Sequence, residues 1–248
     1  MLTINEVFRQ SIEDEQNALA RLASCASGLE QKRDEEMLWH CNYLQGLGYF
    51  FVERNMEAAK QCFYRAGRID EYLIKTYDSR VLDSGIANIT YALLSDNIDL
   101  IKRYALLGHS KYRWMVESGH STLMYAIQQS ILEDWEEVQW SLEIMATKNE
   151  KLNKVLLSDR KFLENLMLGD IGKMEEALLE LLKDHKKRNK YMGIAQYYIS
   201  IPAIAYVKLA WLMGIEINVG NELIPYDLLP YRPILSYDDK YTFLKSFK

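Results

Sequence analysis

Apolar residues recur at spacings of three and four along most of the chain, and short polar segments interrupt them at regular intervals. This spacing places apolar side chains on one face of a helix, which favours amphipathic helices joined by tight turns. The segments that we assign to turns are Glu53 to Asn55, Ser95 to Asn97, Glu133 to Asp134 and Gly169 to Asp170. They lie about 36 to 42 residues apart, a period typical of two-helix units. We therefore predict an all-α fold, a compact and repeat-like array of antiparallel helical hairpins with roughly ten helices.

The most apolar stretch of the chain runs from Tyr191 to Ile217. Within it we predict a nearly fully buried helix that begins after Ser200, carries Pro202 in its first turn and stops at Gly214. Lys208 falls in the middle of this helix, and a lysine there argues against a membrane-spanning segment. The tyrosines of this region are expected to be mostly core residues, and they are Tyr191, Tyr197, Tyr198 and Tyr206.

After Asn221 the chain changes character, because three prolines in a short segment prevent a continuous helix. We predict that residues 220–248 form an irregular tail, which contains prolines and tyrosines and packs back on the helical body. Leu228, Leu229 and Ile234 are its expected anchors. The tail and the helices together are expected to form a single domain over residues 1–248.

Composition and charge narrow the class of partner. The formal net charge is −5, which disfavours a protein that binds nucleic acid through clustered lysine and arginine. None of the three cysteines, Cys25, Cys41 and Cys62, forms a CxxC pair, so neither a disulfide framework nor a zinc site is indicated. The first residues also lack the layout of a secretory signal peptide. We expect a cytoplasmic protein in a reducing environment, without a membrane segment.

Residues able to carry chemistry are present but are not arranged in known motifs. The four histidines, His40, His109, His120 and His185, have no metal-ligand spacing. His185 lies in a cationic run at the end of a predicted helix, where positive charge complements the helix dipole. Ser121 is expected to cap the helix that follows it, and no glycine-rich phosphate loop is present. We therefore expect no catalytic residue, no metal, no cofactor and no enzymatic activity.

The densest acidic group of the sequence adjoins the third turn and is interleaved with tryptophan. Its residues, which we assign as a candidate binding surface, are Glu133, Asp134, Trp135, Glu136, Glu137 and Trp140. Neighbouring carboxylates in a turn are most often simply solvated. Tryptophan is enriched at binding hot spots, which favours a contact surface for a basic partner. Paired carboxylates can also serve acid–base hydrolysis when a cleft holds them together.

The C-terminal part of the chain resembles the immunity protein 49 family of bacterial polymorphic toxin systems. Four segments carry the resemblance. A helix ends in His-Lys, as in LLELLKDHK (178–186), and an apolar helix follows, QYYISIPAIAY (196–206). A Gly-apolar turn, WLMGI (211–215), then leads to a Pro-containing ending with Leu-Leu, ELIPYDLL (222–229). It implies a cytoplasmic protein that binds and neutralises a cognate toxin, protecting the producing cell. The acidic surface would suit a basic toxin, such as a nuclease.

Three other functions remain open at this stage. A helical-repeat adaptor would use the hairpins to bind a peptide, and it would have many weak partners. A helical hydrolase would need a polar pocket with strongly shifted carboxylates. A regulator that binds DNA is disfavoured by the charge. The aromatic, helical surface also permits a homodimer.

Overall fold

Helices are the only regular elements in the computed structural model, which describes residues 2–24 and 28–247. The prediction of an all-α fold is confirmed, and ten of the described helices have seven or more residues. The helices are α1 (Ile4–Ala23), α2 (Leu29–Phe51), α3 (Met56–Tyr77), α4 (Ala87–Leu94), α5 (Ile98–Ala105), α6 (Tyr112–Glu117), α7 (Thr122–Ile131), α8 (Trp135–Lys148), α9 (Glu150–Val155), α10 (Leu157–Leu168), α11 (Ile171–Lys183), α12 (His185–Arg188), α13 (Ile201–Leu212) and α14 (Thr242–Ser246). Short 3-10 turns lie at Val81–Ser84, Gly193–Tyr197 and Tyr226–Leu228.

The four predicted turns join the hairpins α2–α3, α4–α5, α7–α8 and α10–α11. Each turn places one residue in the left-handed region directly before the cap of the second helix, and these residues are Arg54, Asp96, Glu133 and Gly169. The following cap is always Asn or Asp, and its side-chain oxygen accepts a hydrogen bond from the amide three residues later. Such a cap satisfies an amide that the helix itself cannot. The same local chemistry therefore makes all four turns.

The helices α4, α7, α10 and α13 all lead away from one cleft. Ala87, Thr122 and Ile201, the first residues of α4, α7 and α13, line this cleft, as does Leu156, which directly precedes α10. From the cleft, α13 runs to the second hairpin turn, where Lys208 pairs with Asp96. The second, third and fourth hairpin turns thus lie at the far ends of α4, α7 and α10 from the cleft.

The apolar helix α13 lies at the centre of the fold and packs against α4 and α11. Its residues 201–210 are all buried, as predicted. Pro202 lies in its first turn, and Gly214 follows its end with a φ of 77°. The tyrosine prediction is wrong at two positions, because Tyr191 and Tyr197 are 83% and 54% exposed. Both lie outside α13, in the segment between α12 and α13.

The C-terminal tail packs on the helical body, and most of it is irregular. Leu228 and Leu229 are buried as predicted, whereas Ile234 is only half-buried. The tail has a second set of anchors near its end, since Tyr241 and Leu244 join a small cluster with α1, α2 and α3. The sequence prediction missed these anchors, and it also missed the short helix α14 that carries Leu244.

Two further expectations concern the cysteines and the membrane. Cys41 and Cys62 are buried free thiols, and burial raises the pKa of each to about 12, whereas Cys25 lies outside the described residues. None of the described helices combines the length and the apolar character that crossing a bilayer requires.

Candidate functional site

The acidic turn lies at the surface, between α7 and α8, but its carboxylates have different surroundings. Glu133 is exposed and takes the left-handed position with a φ of 59°. Asp134 caps α8 by accepting a hydrogen bond of 3.2 Å from the amide of Glu137. Trp135 is half-buried and packs on the core, while Glu136 is exposed. The turn is therefore partly structural, since the cap uses Asp134.

Glu137 forms a network with two residues that the sequence reasoning missed, Arg113 on α6 and Tyr125 on α7. The Arg113 guanidinium donates to Glu137 over 3.0 Å and to the Tyr125 hydroxyl over 2.9 Å, and Tyr125 donates to Glu137 over 2.7 Å. The guanidinium also lies 4.1 Å from the ring centroid of Trp140, a cation–π contact. A further bond of 3.1 Å from Arg113 to Glu117 closes the network.

These contacts decide the charge state of Glu137. The hydrogen bond from Tyr125 and the ion pair with Arg113 lower its pKa, and together they outweigh the opposing effect of burial. A general acid in a hydrolase needs the opposite shift, a raised pKa. Glu137 is therefore held as a carboxylate and is not prepared to donate a proton.

Around this network lies an exposed surface that we call the acidic aromatic face. Its residues are Arg113, Trp114, Tyr125, Glu133, Glu136, Glu137 and Trp140. Trp114 follows Arg113 and is 62% exposed. Glu133 and Glu136 lie within one helical turn of Glu137, and neither forms an ion pair with any described residue. The face thus combines an exposed indole and a stacked arginine with carboxylates free to contact a partner.

A second polar cluster brings Ser121, His109 and Asp83 together. Ser121 does not cap α7 as predicted, because its hydroxyl donates to Asp83 over 2.7 Å and its backbone takes the left-handed conformation. The Nε2 atom of His109 lies 3.1 Å from the same carboxylate oxygen. Burial would raise the pKa of Asp83, but hydrogen bonds from Ser121, His109 and Arg80 lower it. Because the carboxylate lies between serine and histidine, the ring cannot act as a base toward this hydroxyl.

His185 lies in the cationic run of α12, as expected, and the structure adds contacts to it. The side chain is buried, and its Nε2 atom lies 2.6 Å from the carbonyl oxygen of Gln196. Its Nδ1 atom lies 3.1 Å from the side-chain nitrogen Nδ2 of Asn189. The ring therefore also ties α12 to the following 3-10 turn. Within residues 2–24 and 28–247, no group of three or more histidine, cysteine or acidic side chains is placed to hold a metal ion.

Two buried ionic networks hold the helices in place, and neither was predicted. Asp96 in the second turn pairs with Lys60 over 2.7 Å and with Lys208 of α13. Asp159 of α10 accepts a bond of 2.7 Å from Arg188 and one of 2.8 Å from Tyr206. Each network joins segments that are far apart in the chain, so both act as structural connections.

Comparison with known proteins gives one match. A family model described as immunity protein 49 matches residues 51–228, from the last residue of α2 to the 3-10 turn at Tyr226–Leu228. All four hairpin turns, the acidic aromatic face and α13 lie inside this range, while α1, nearly all of α2 and the rest of the tail lie outside it. No curated protein and no solved structure matches the chain.

Proposed function

The chain belongs to the immunity protein 49 family, and from this membership we propose that it binds a cognate bacterial toxin and neutralises it. We place this activity in the cytoplasm of the producing cell, which the protein would thereby protect. It would act by binding, with no catalytic step of its own. The matched region supports this proposal because it contains every element of the acidic aromatic face.

The acidic aromatic face is the surface that we propose for the toxin. The observation that carries this assignment is the position of Trp114, exposed beside an arginine that Trp140 and Glu137 hold in place. Tryptophan, tyrosine and arginine are the residues most enriched at binding hot spots. An arginine fixed by an aromatic ring and a carboxylate loses little side-chain freedom when a partner binds, which favours affinity.

Charge indicates the chemistry of the partner. Glu133, Glu136 and Glu117 are exposed carboxylates of this part of the surface, and Arg113 is a cation that Glu117 and Glu137 already neutralise. A basic surface, as in a toxin that cleaves nucleic acid, would complement this face and be steered toward it. The net charge of −5 acts in the same direction.

Affinity capture from the native cells tests the proposal directly. The tagged chain is expected to retain one toxin-domain protein in near-equal amount at moderate salt, and the captured protein should kill cells that lack this chain. A spread of weakly bound proteins in its place would support the adaptor function.

A charge-reversal pair tests the surface. Glu133→Lys with Glu136→Lys should weaken toxin binding by at least about tenfold and flatten its salt dependence, because opposed charges then meet. Glu53→Lys with Glu57→Lys makes the same change at the first hairpin turn, where Glu57 has the same position in α3 as Glu136 has in α8. This control should bind as the unmodified chain does. Equal affinities and equal salt slopes for both pairs would refute the assigned surface.

A further inference from the structure

The helices of this fold begin in two different ways. The second helix of each hairpin, α3, α5, α8 or α11, begins with an Asn or Asp side chain bonded to its first turn. The helices that lead away from the cleft, α4, α7, α10 and α13, have no such side-chain bond. Each of these four has eight residues or more. An uncapped start leaves backbone amides without acceptors and carries the positive end of the helix dipole.

These uncapped starts converge on the same cleft, which has a volume of about 320 Å³. Ala87, Thr122 and Ile201 begin three of the helices, and Leu156 precedes the fourth. A cavity of this size reaches the lower limit of small-ligand sites. The positive ends of several helices therefore act on one cleft that is partly open to solvent.

The amides at the start of α7 have no acceptor in the described part of the chain. The first backbone hydrogen bond of α7 runs from the amide of Tyr125 to the carbonyl oxygen of Ser121, so the amides of Thr122, Leu123 and Met124 stay free. All three residues line the cleft. Ser121 cannot accept from them, because its hydroxyl turns to Asp83. Consecutive free amides of this kind are what an oxyanion recognises at a helix start.

Two buried hydroxyl groups at the same place also lack partners. Thr122 and Ser200 are fully buried, and neither side-chain oxygen has a hydrogen-bond partner among the described residues. Thr122 lines the cleft, and Ser200 directly precedes Ile201, which lines it as well. Buried hydroxyls are nearly always hydrogen-bonded in folded proteins, so two orphans beside one cleft point to an absent acceptor.

The charged side chains of the cleft already have partners. Both terminal nitrogens of Arg188 bind Asp159, and the Asp83 carboxylate accepts bonds from Ser121, His109 and Arg80. Their charges are therefore largely compensated, and the helix starts remain as the uncompensated source of positive potential. From this geometry we propose that the cleft is a binding site for an oxyanion, a phosphate or a carboxylate group, held by the amides of α7 and the hydroxyl of Thr122.

Inorganic phosphate is the probe for the test, with the full chain at neutral pH. Phosphate should raise the midpoint of thermal unfolding in a saturable way, beyond the effect of sodium chloride at the same ionic strength. In ¹H–¹⁵N spectra the amide signals of Leu123 and Ala87 should shift over the same concentration range. If phosphate and chloride have equal effects on both measurements, the proposal is wrong.

A carboxylate introduced into the cleft provides the decisive variant. Ala87→Glu places a negative charge at the half-buried first residue of α4. It should raise the unfolding midpoint without phosphate and abolish the further rise with phosphate, because its own carboxylate takes the place of the ligand. Ile171→Glu puts the same charge at the first residue of α11, which Asp170 caps, and it should keep the full phosphate response. An unchanged phosphate response in Ala87→Glu would overturn the proposal.

A conservative variant keeps the test decisive if Ala87→Glu does not fold. Thr122→Val removes the unpaired hydroxyl at nearly constant volume and should raise the phosphate concentration of half-effect by roughly two- to tenfold. An unchanged concentration would contradict the role of Thr122.

Acetyl-triglycine with a free or an amidated C-terminus then separates the two sources of the anion. Displacement of phosphate by the free acid alone indicates a carboxylate of a protein chain, and no displacement by either indicates a small phosphate compound.

Discussion

Asp70 provides the sharpest test of how burial acts in this fold. The side chain lies fully buried on α3, where its carboxyl oxygens accept bonds of 2.9 Å from Asn88 on α4 and 3.1 Å from Tyr104 on α5. Burial raises its pKa to about 7, although the two hydrogen bonds act to lower it. Asp70 therefore joins three helices as a carboxyl group that resists ionisation.

The sign and size of the effect follow from this shift. In the unfolded chain Asp70 has the ordinary pKa of 3.8, so between about pH 4 and pH 7 unfolding releases its proton. The contribution of Asp70 to the free energy of unfolding is thus fully present below about pH 4 and is lost as the pH rises through about 7. One pKa unit corresponds to about 1.4 kcal/mol, so a shift of about three units gives about 4 kcal/mol in total. Roughly 2 kcal/mol of this falls between pH 5 and pH 7.

The perturbation is Asp70→Asn, which keeps the shape and cannot ionise. Urea unfolding at about pH 5 and about pH 7 gives the free energy of unfolding of both proteins. From about pH 5 to about pH 7, the free energy of unfolding of the variant should rise by roughly 2 kcal/mol relative to that of the unmodified chain. Asp99→Asn makes the same chemical change at an exposed position of α5 and should show no such change. A difference that changes by less than about 0.5 kcal/mol would refute the assigned pKa and the reasoning from burial.

Two further substitutions separate stability from binding. Asp96→Ala leaves Lys60 and Lys208 buried without their carboxylate, so urea unfolding should show a loss of about 3 to 5 kcal/mol, and a loss below about 1 kcal/mol would contradict the buried pairing. Trp114→Ala removes an exposed side chain, so the unfolding free energy should change by less than about 0.5 kcal/mol while toxin affinity measured by calorimetry falls at least about tenfold. Leu106→Ala is the control, at a position 72% exposed directly after α5, and it should leave the affinity unchanged. Equal affinities for the unmodified chain and both variants would show that Trp114 is not part of the binding surface.

The candidate site was accessible to sequence reasoning only in part. Glu133, Glu136 and Glu137 stand together in the sequence, so their local density of charge was visible. Arg113 and Trp114 lie more than one helix away, and nothing in their own segment indicates that Arg113 stacks on Trp140. The assignment of the acidic turn to toxin binding stays a prediction, which the charge-reversal pair tests.

The hairpins are where the sequence alone determined the structure. A turn between helices depends on a residue that tolerates the left-handed conformation and on a cap that binds the next amides, and both stand within a few positions of each other. Both signals are therefore present in the sequence of two turns, at Asp96–Asn97 and Gly169–Asp170, and the cap alone is present in the third, at Asp134. The apolar run of α13 likewise determined its burial, since its ten residues 201–210 include only one charge.

Only the tertiary structure decided which distant groups meet. Lys208 was visible as a charge within an apolar helix, but its partner Asp96 is 112 residues earlier in the chain. Ser121 had the residue type of a helix cap, yet Asp83 offered its hydroxyl a charged acceptor, and the amides of α7 were left free beside the cleft. Periodicity reports which face of a helix is buried and not which helix covers it. Such pairings arise because a buried polar group must find its partner in three dimensions, whatever the distance along the chain.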